Sequence, residues 1–194
     1  MFFTFLTILG TEFIAEMGDK TQLMLIGLTS RYKLRDIILG TAFAILVLNG
    51  VAVVLGGLLG SVLPTGIIKL VAGVLFLYFA VSSLKKDSDE EEDAKEEKIS
   101  FAPMAVFMTF IIAELGDKTQ LTAAAFGASY GFSMALVVWI ACSIGLFMAD
   151  ILGLLVGYLL KKRVPEEAMK YIAFVIFAFY GVYTLYEAAH ILWL

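Results

Sequence analysis

Phe13-Ile14-Ala15-Glu16-Met17-Gly18-Asp19-Lys20-Thr21-Gln22-Leu23 returns 98 residues later as Ile111-Ile112-Ala113-Glu114-Leu115-Gly116-Asp117-Lys118-Thr119-Gln120-Leu121. Each copy sets two acids and a lysine in the middle of an apolar segment. Ionisable side chains at membrane depth cost roughly 3 kcal/mol or more each, so their default role is functional, commonly with ions or protons. Two copies in one chain imply a site built from two halves.

The surrounding composition establishes the membrane. The chain has 194 residues, 61% of them hydrophobic, whereas a soluble domain is about half apolar. Mean hydropathy is +0.93. Twelve of the 32 charged side chains fall in 85–98, which leaves runs long enough for a hydrocarbon core of ~30 Å. The expected fold is an all-α integral membrane protein, because an open backbone cannot go unpaired in lipid. Six spans are predicted, at 2–28, 37–59, 67–84, 99–128, 132–160 and 171–192. The breaks are 30–36, 61–66 with Pro64, 85–98, 129–131, and 161–167 with Pro165. The first run carries Glu12, Glu16 and Asp19 and lacks a basic start, so it reads as a retained span and not a cleaved signal. Cys142, the single cysteine, cannot form an internal disulfide and reads as a packing residue.

The motif offset divides the chain into a first three-helix repeat, 1–84, an acidic cytoplasmic linker, 85–98, and a second repeat, 99–194. The linker reads as a solvated charge run. Arg31, Lys33, Arg35, Lys85, Lys86, Lys95, Lys98, Lys161, Lys162, Arg163 and Lys170 follow spans one, three and five, whereas the opposite loops hold only Lys69. The basic loops are expected in the cytoplasm, with both termini outside. Three spans per repeat is an odd number, so the two repeats should be inverted, as in many secondary transporters. Tyr180, Tyr183, Tyr186 and Trp193 fit an interfacial belt.

On a continuous helix from Phe2, Glu16 falls ~21 Å along the axis, near mid-span. Within each motif the acids are spaced i, i+3 and share a face, with Gln22 or Gln120 a turn further on. The glycine between them permits close helix approach or local unwinding. Facing each other, Glu16, Asp19, Glu114 and Asp117 would converge, with Thr21, Thr119, Gln22 and Gln120 adding oxygens. Asn49 and Asp150, at comparable depths in spans two and five, are further donors. Such a cage suits calcium, manganese or magnesium. Soft metals favour imidazole or thiolate, yet the one histidine, His190, is at the chain end and Cys142 has no cysteine partner. Four carboxylates in a dry site cannot all stay ionised without a cation, so protons and metal compete for the same oxygens, as antiport requires. Lys20 and Lys118 are expected to pair with Asp19, Asp117 or Glu12, or to snorkel away. Glu12 has Phe110 as its repeat partner and reads as lining an outer vestibule. Met17, Met24 and Met148 lie near the acids, where a thioether slightly favours manganese, although packing is the commoner role.

Paired Glu-x-Gly-Asp-Lys-Thr motifs, at 16–21 and 114–119, resemble those of the small cation/proton exchanger family. That family includes Golgi calcium/manganese transporters of eukaryotes and manganese exporters of bacteria. The resemblance spans nearly the whole chain. It implies divalent-cation transport coupled to protons, with Glu16, Asp19, Glu114 and Asp117, and also Thr21 and Thr119, as cation ligands. The short amino terminus is similar to the bacterial members and suggests manganese export across an inner membrane. Beyond the transported cation, the protons and the bilayer, no cofactor, nucleic acid or enzymatic activity is expected. Competing readings are a passive cation channel, buried charges that only glue helices, and an intramembrane aspartyl protease. Against the last, a lysine follows each aspartate, which a shared-proton pair does not need. Deletion of 87–97 is expected to leave a measurable basal transport rate in reconstituted vesicles.

Overall fold

The computed structural model describes residues 1–84, 101–160 and 166–193. The acidic linker, Lys161, Lys162, Arg163 and Pro165 lie outside the described residues, as do the side chains of Lys20, Lys170 and Trp193. The first half folds as α1 (Phe2–Glu16), α2 (Lys20–Leu28), α3 (Leu34–Val62) and α4 (Thr65–Ser83). The second folds as α5 (Ala102–Glu114), α6 (Lys118–Tyr130), α7 (Ala135–Leu160) and α8 (Glu166–Trp193), with a 3-10 turn at Phe132–Met134 before α7.

The continuous helices expected over 2–28 and 99–128 are each interrupted at the motif. Met17 and Leu115 leave the helix with ψ of 122° and 114°. Gly18 and Gly116 then take φ of 83°, in the left-handed region. Any other residue would pay about 1–2 kcal/mol there. Local unwinding, one of the two options glycine allowed, is therefore what occurs. The acids do not share a helix face: Glu16 and Glu114 end their helices, and Asp19 and Asp117 follow the break.

Polarity runs inside out. The buried face of α3 carries Thr41 and Asn49 among small and aliphatic residues. Its exposed face carries Leu39, Phe43, Leu46, Val47, Val51, Val54, Leu55, Leu58 and Leu59. Water rejects such a contiguous apolar surface, whereas lipid accepts it. Leu34–Val62 and Phe132–Gly157 are each long and apolar enough to cross a bilayer.

Glycines set the packing. A Cβ on Gly145 of α7 would stand 2.5 Å from the Leu9 carbonyl and 3.0 Å from the Glu12 Cβ. Further along α7, Gly153 meets Gln22 and Gly157 meets Ile26, so α7 runs in the direction of α1 and α2. In the same way α3 follows α5 and α6: Gly40 lies on Pro103 and Val106, Gly56 on Ala124, and Gly60 on Ala128. Between the halves, α3 and α7 run oppositely, since Gly50 meets Trp139 while Gly57 meets Phe132. The Trp139 indole N–H donates to the Leu46 carbonyl at 2.9 Å across this contact. Helices α4 and α8 form an antiparallel pair through Gly66 on Leu192, Gly73 on Leu185, and Gly181 on Leu77. An ion pair, Lys69 to Glu187 at 2.7 Å, joins them. Tyr183 and Tyr186 are exposed on α8, while Tyr180 packs near Phe76.

A methyl group at Gly56 would collide with the Ala124 backbone, whereas one at Gly27 meets nothing within 4 Å. Gly56→Ala should cost about 1–3 kcal/mol by overpacking, and Gly27→Ala should gain up to about 1 kcal/mol from helix propensity. Thermal unfolding of the two variants in detergent checks the difference in sign.

Candidate metal centre

Each motif builds its half of the site by ending one helix and starting another. After the first helix stops at the glutamate, a tight turn follows: Asp19 N–H donates to the Glu16 carbonyl at 3.2 Å, and Asp117 N–H to the Glu114 carbonyl at 3.1 Å. The two breaks thus present matching helix ends. Carbonyl ends of α1 and α5 favour a cation nearby, and the amide ends of α2 and α6 favour carboxylates. Asp117 occupies the cap position of α6 without a side-chain capping bond, so its carboxylate does not serve the helix end.

The glutamines repair the breaks. Gln22 Oε1 accepts the Gly18 N–H at 3.1 Å, and Gln120 Oε1 accepts the Gly116 N–H at 3.0 Å. Gln22 Nε2 also donates to the carbonyls of Glu16 at 3.2 Å and Ala149 at 3.0 Å. Both amide oxygens were expected to face a cation; instead each closes its own kink. The Ala149 contact was not anticipated, although glycine at 153, against the same amide, is its trace in the sequence.

The acids of the two halves do meet. One carboxylate oxygen from each of Glu16, Asp19 and Asp117 lies within 4.8 Å of the others. Glu114 is held by threonines of both motifs: Thr21 Oγ1 donates to its Oε1, and Thr119 Oγ1 donates to its Oε2 at 3.3 Å. Lys118 pairs with Asp19 of the opposite motif and stands 3.7 Å from Asp117. Asp150 lies within electrostatic range of Glu16 and Glu114. Glu16, Glu114, Asp150, Asn49, Thr21 and Thr119 are all essentially inaccessible to solvent. The carboxylate oxygens of Glu16 and Asp150 and the amide of Asn49 have no hydrogen-bond partner among the described residues. Buried oxygens left that way cost several kcal/mol unless a cation or proton meets them.

The two halves differ in cover. Asp19 is buried and Gly18 half-buried, whereas Leu115 and Gly116 are exposed. Met17 accepts a long contact from Gln22 Nε2 at 3.9 Å. Met24 packs in an apolar cluster, and Met148 is exposed, so neither supplies a thioether to the acids.

Chemically, the arrangement offers hard oxygens in excess of the positive charge beside them. Gln22→Leu would strip the Gly18 N–H of its acceptor in the interior, at about 1–3 kcal/mol. Gln120→Leu frees the Gly116 N–H in the same way and, since lipid offers no acceptor, should cost a similar amount. Paired unfolding measurements on the two variants test this.

The chain matches a family model described as Divalent cation/proton antiporter GDT1 over residues 4–91 and 102–191. It is 33% identical over 156 residues to the Vibrio cholerae “Putative manganese exporter”, covering 80% of this chain and 76% of that one. Protein PAM71, chloroplastic, of Arabidopsis thaliana is 28% identical over 90% of this chain and 54% of its own length. A GDT1-like protein of Synechocystis is 25% identical over 87% of this chain and 90% of its own. No solved structure matches. With its duplicated acidic motif, its apolar outer faces and a family match over both halves, the chain is a membrane protein that belongs to the GDT1 family of divalent cation/proton antiporters.

Proposed function

We propose that this protein exports a divalent cation, manganese ahead of calcium, in exchange for protons. The cation is bound at a midplane site shared by two inverted three-helix repeats. The convergence of Glu16, Asp19 and Asp117 from opposite motifs carries the reading. Glu114, Asp150, Asn49, Thr21 and Thr119 complete an oxygen-only cage of the kind manganese, calcium and magnesium accept. The name of the Vibrio cholerae relative favours manganese among them.

Helix directions support the inversion. Since α7 follows α1 and α2, α3 follows α5 and α6, and α3 opposes α7, the two broken helices run opposite ways. With six spans and the basic loops in the cytoplasm, both termini lie outside and the linker lies inside. A bacterial inner membrane is the matching location. Lys118 acts as a tethered cation: its ammonium holds Asp19 and Asp117, and an arriving divalent ion displaces it. A lysine between the aspartates also disfavours the shared proton of an aspartyl protease. Rocking of one repeat against the other then exposes the cage to each side in turn.

In proteoliposomes, an imposed pH gradient should drive manganese against its own gradient, which a channel cannot do. Uptake indifferent to pH would overturn the assignment. Apparent manganese affinity should fall as pH falls, because protons occupy the same oxygens. Single Glu16→Gln, Asp19→Asn, Glu114→Gln and Asp117→Asn changes should each reduce transport at least about tenfold, a loss seen even for groups one step removed from a metal.

A further inference from the structure

Glu12 is a fully buried acid that the cation cage does not use. It lies four residues before Glu16 on α1, one turn or about 6 Å along the axis. Neither of its oxygens meets an oxygen or nitrogen donor among the described residues. The Cys142 thiol of α7 lies against it, and Gly145 of α7 offers no side chain there. The other charged groups in range are Glu114 at the end of α5, Asp117, and Lys118 at the start of α6; α8 brings none among the described residues. Lys118, the cation of that set, already pairs with Asp19.

Packing does not ask for an acid at this position. The second half places Phe110 at the equivalent point, fully buried in an apolar cluster. A carboxyl with no partner in such surroundings costs several kcal/mol, so glutamate there is a liability unless it serves chemistry. Cation ligation is a poor account of it. Its carboxyl lies against the Cys142 thiol of α7, and the three carboxylate oxygens that cluster belong to Glu16, Asp19 and Asp117. What remains is a group that binds and releases a proton beside the cage without touching the metal.

We propose that Glu12 is a proton-carrying residue of the exchange cycle, separate from the cation ligands and present in one half only. A divalent ion in the cage favours the Glu12 carboxylate through its charge, and loss of that ion favours the carboxylic acid. On one side of the membrane the Glu12 O–H bond breaks and the proton leaves to water. On the other side a carboxylate oxygen takes a proton back. The group therefore crosses protonated in one direction only. This inference rests on the antiport reading and adds to it a proton that the metal does not displace by direct competition.

Two assays on the full-length protein in proteoliposomes separate the possibilities. One measures manganese accumulation driven by a pH gradient. The other measures exchange of labelled for unlabelled manganese at equal pH, which needs no net proton movement. Glu12→Gln should lower gradient-driven accumulation by about tenfold or more and leave exchange within about twofold of the parent, while Glu12→Asp restores most of the accumulation. Glu12→Phe, which copies the residue the other half tolerates, should behave like Glu12→Gln and guards against a simple folding defect. Loss of exchange together with accumulation in both variants would make Glu12 a cation ligand and overturn the proposal. Retention of both activities would make it a packing residue and overturn it equally. If the unmutated protein accumulates manganese without regard to pH, the antiport reading itself fails, and that result needs no variant to see it.

Discussion

A carboxylate in hydrocarbon must find a cation, a proton or hydrogen-bond donors, and the rest of this molecule is organised around supplying them. Glu114 receives two hydroxyls, one from each motif, and Asp19 and Asp117 receive the Lys118 ammonium. Glu16 and Asp150 receive no hydrogen bond from the described residues. That uneven provision is itself informative. A purely structural cluster would pair all of its members. Here the acids without protein partners stand beside those that have them, so the place of greatest electrostatic need coincides with the meeting point of the two halves.

Meeting there requires the helices to stop. A straight helix through Glu16 and Asp19 would satisfy every backbone amide with carbonyls four residues back and leave nothing aimed at a ligand. Unwinding at Gly18 and Gly116 turns helix ends toward the centre and lets each aspartate step off the helix. Exposed backbone in lipid is the cost, tolerated only where protein covers it. Gln22 and Gln120 each supply one acceptor to the broken backbone from within the same short stretch.

Much of this was legible in the residues. The repeat, its offset and the types of its side chains pointed to acids that the fold does bring together, and the runs between charges located the helices to within a few residues. Two features were not legible. Period-based reading sees an unbroken apolar stretch across Met17–Asp19, because one glycine in a helix is ordinary and only its positive φ marks a break. The partners of individual polar groups were also hidden, since Thr21 with Glu114 and Gln22 with Ala149 join residues far apart in the chain. Spacing along one helix says which side chains are neighbours on it but not what the opposing surface holds. Lys118 is intermediate: pairing with Asp19 or Asp117 was one stated option, and its crossing to the opposite motif awaited three dimensions.

The glutamine that closes each kink has an effect on heredity as well as on folding. Defect and remedy lie within seven residues of each other, so copying the segment copies a broken helix already able to hold its shape. What one copy cannot carry is the Thr21–Glu114 bond or the Lys118–Asp19 pair, which exist only between copies. A solitary half could therefore bend correctly yet leave its acids without the partners that only the other half supplies.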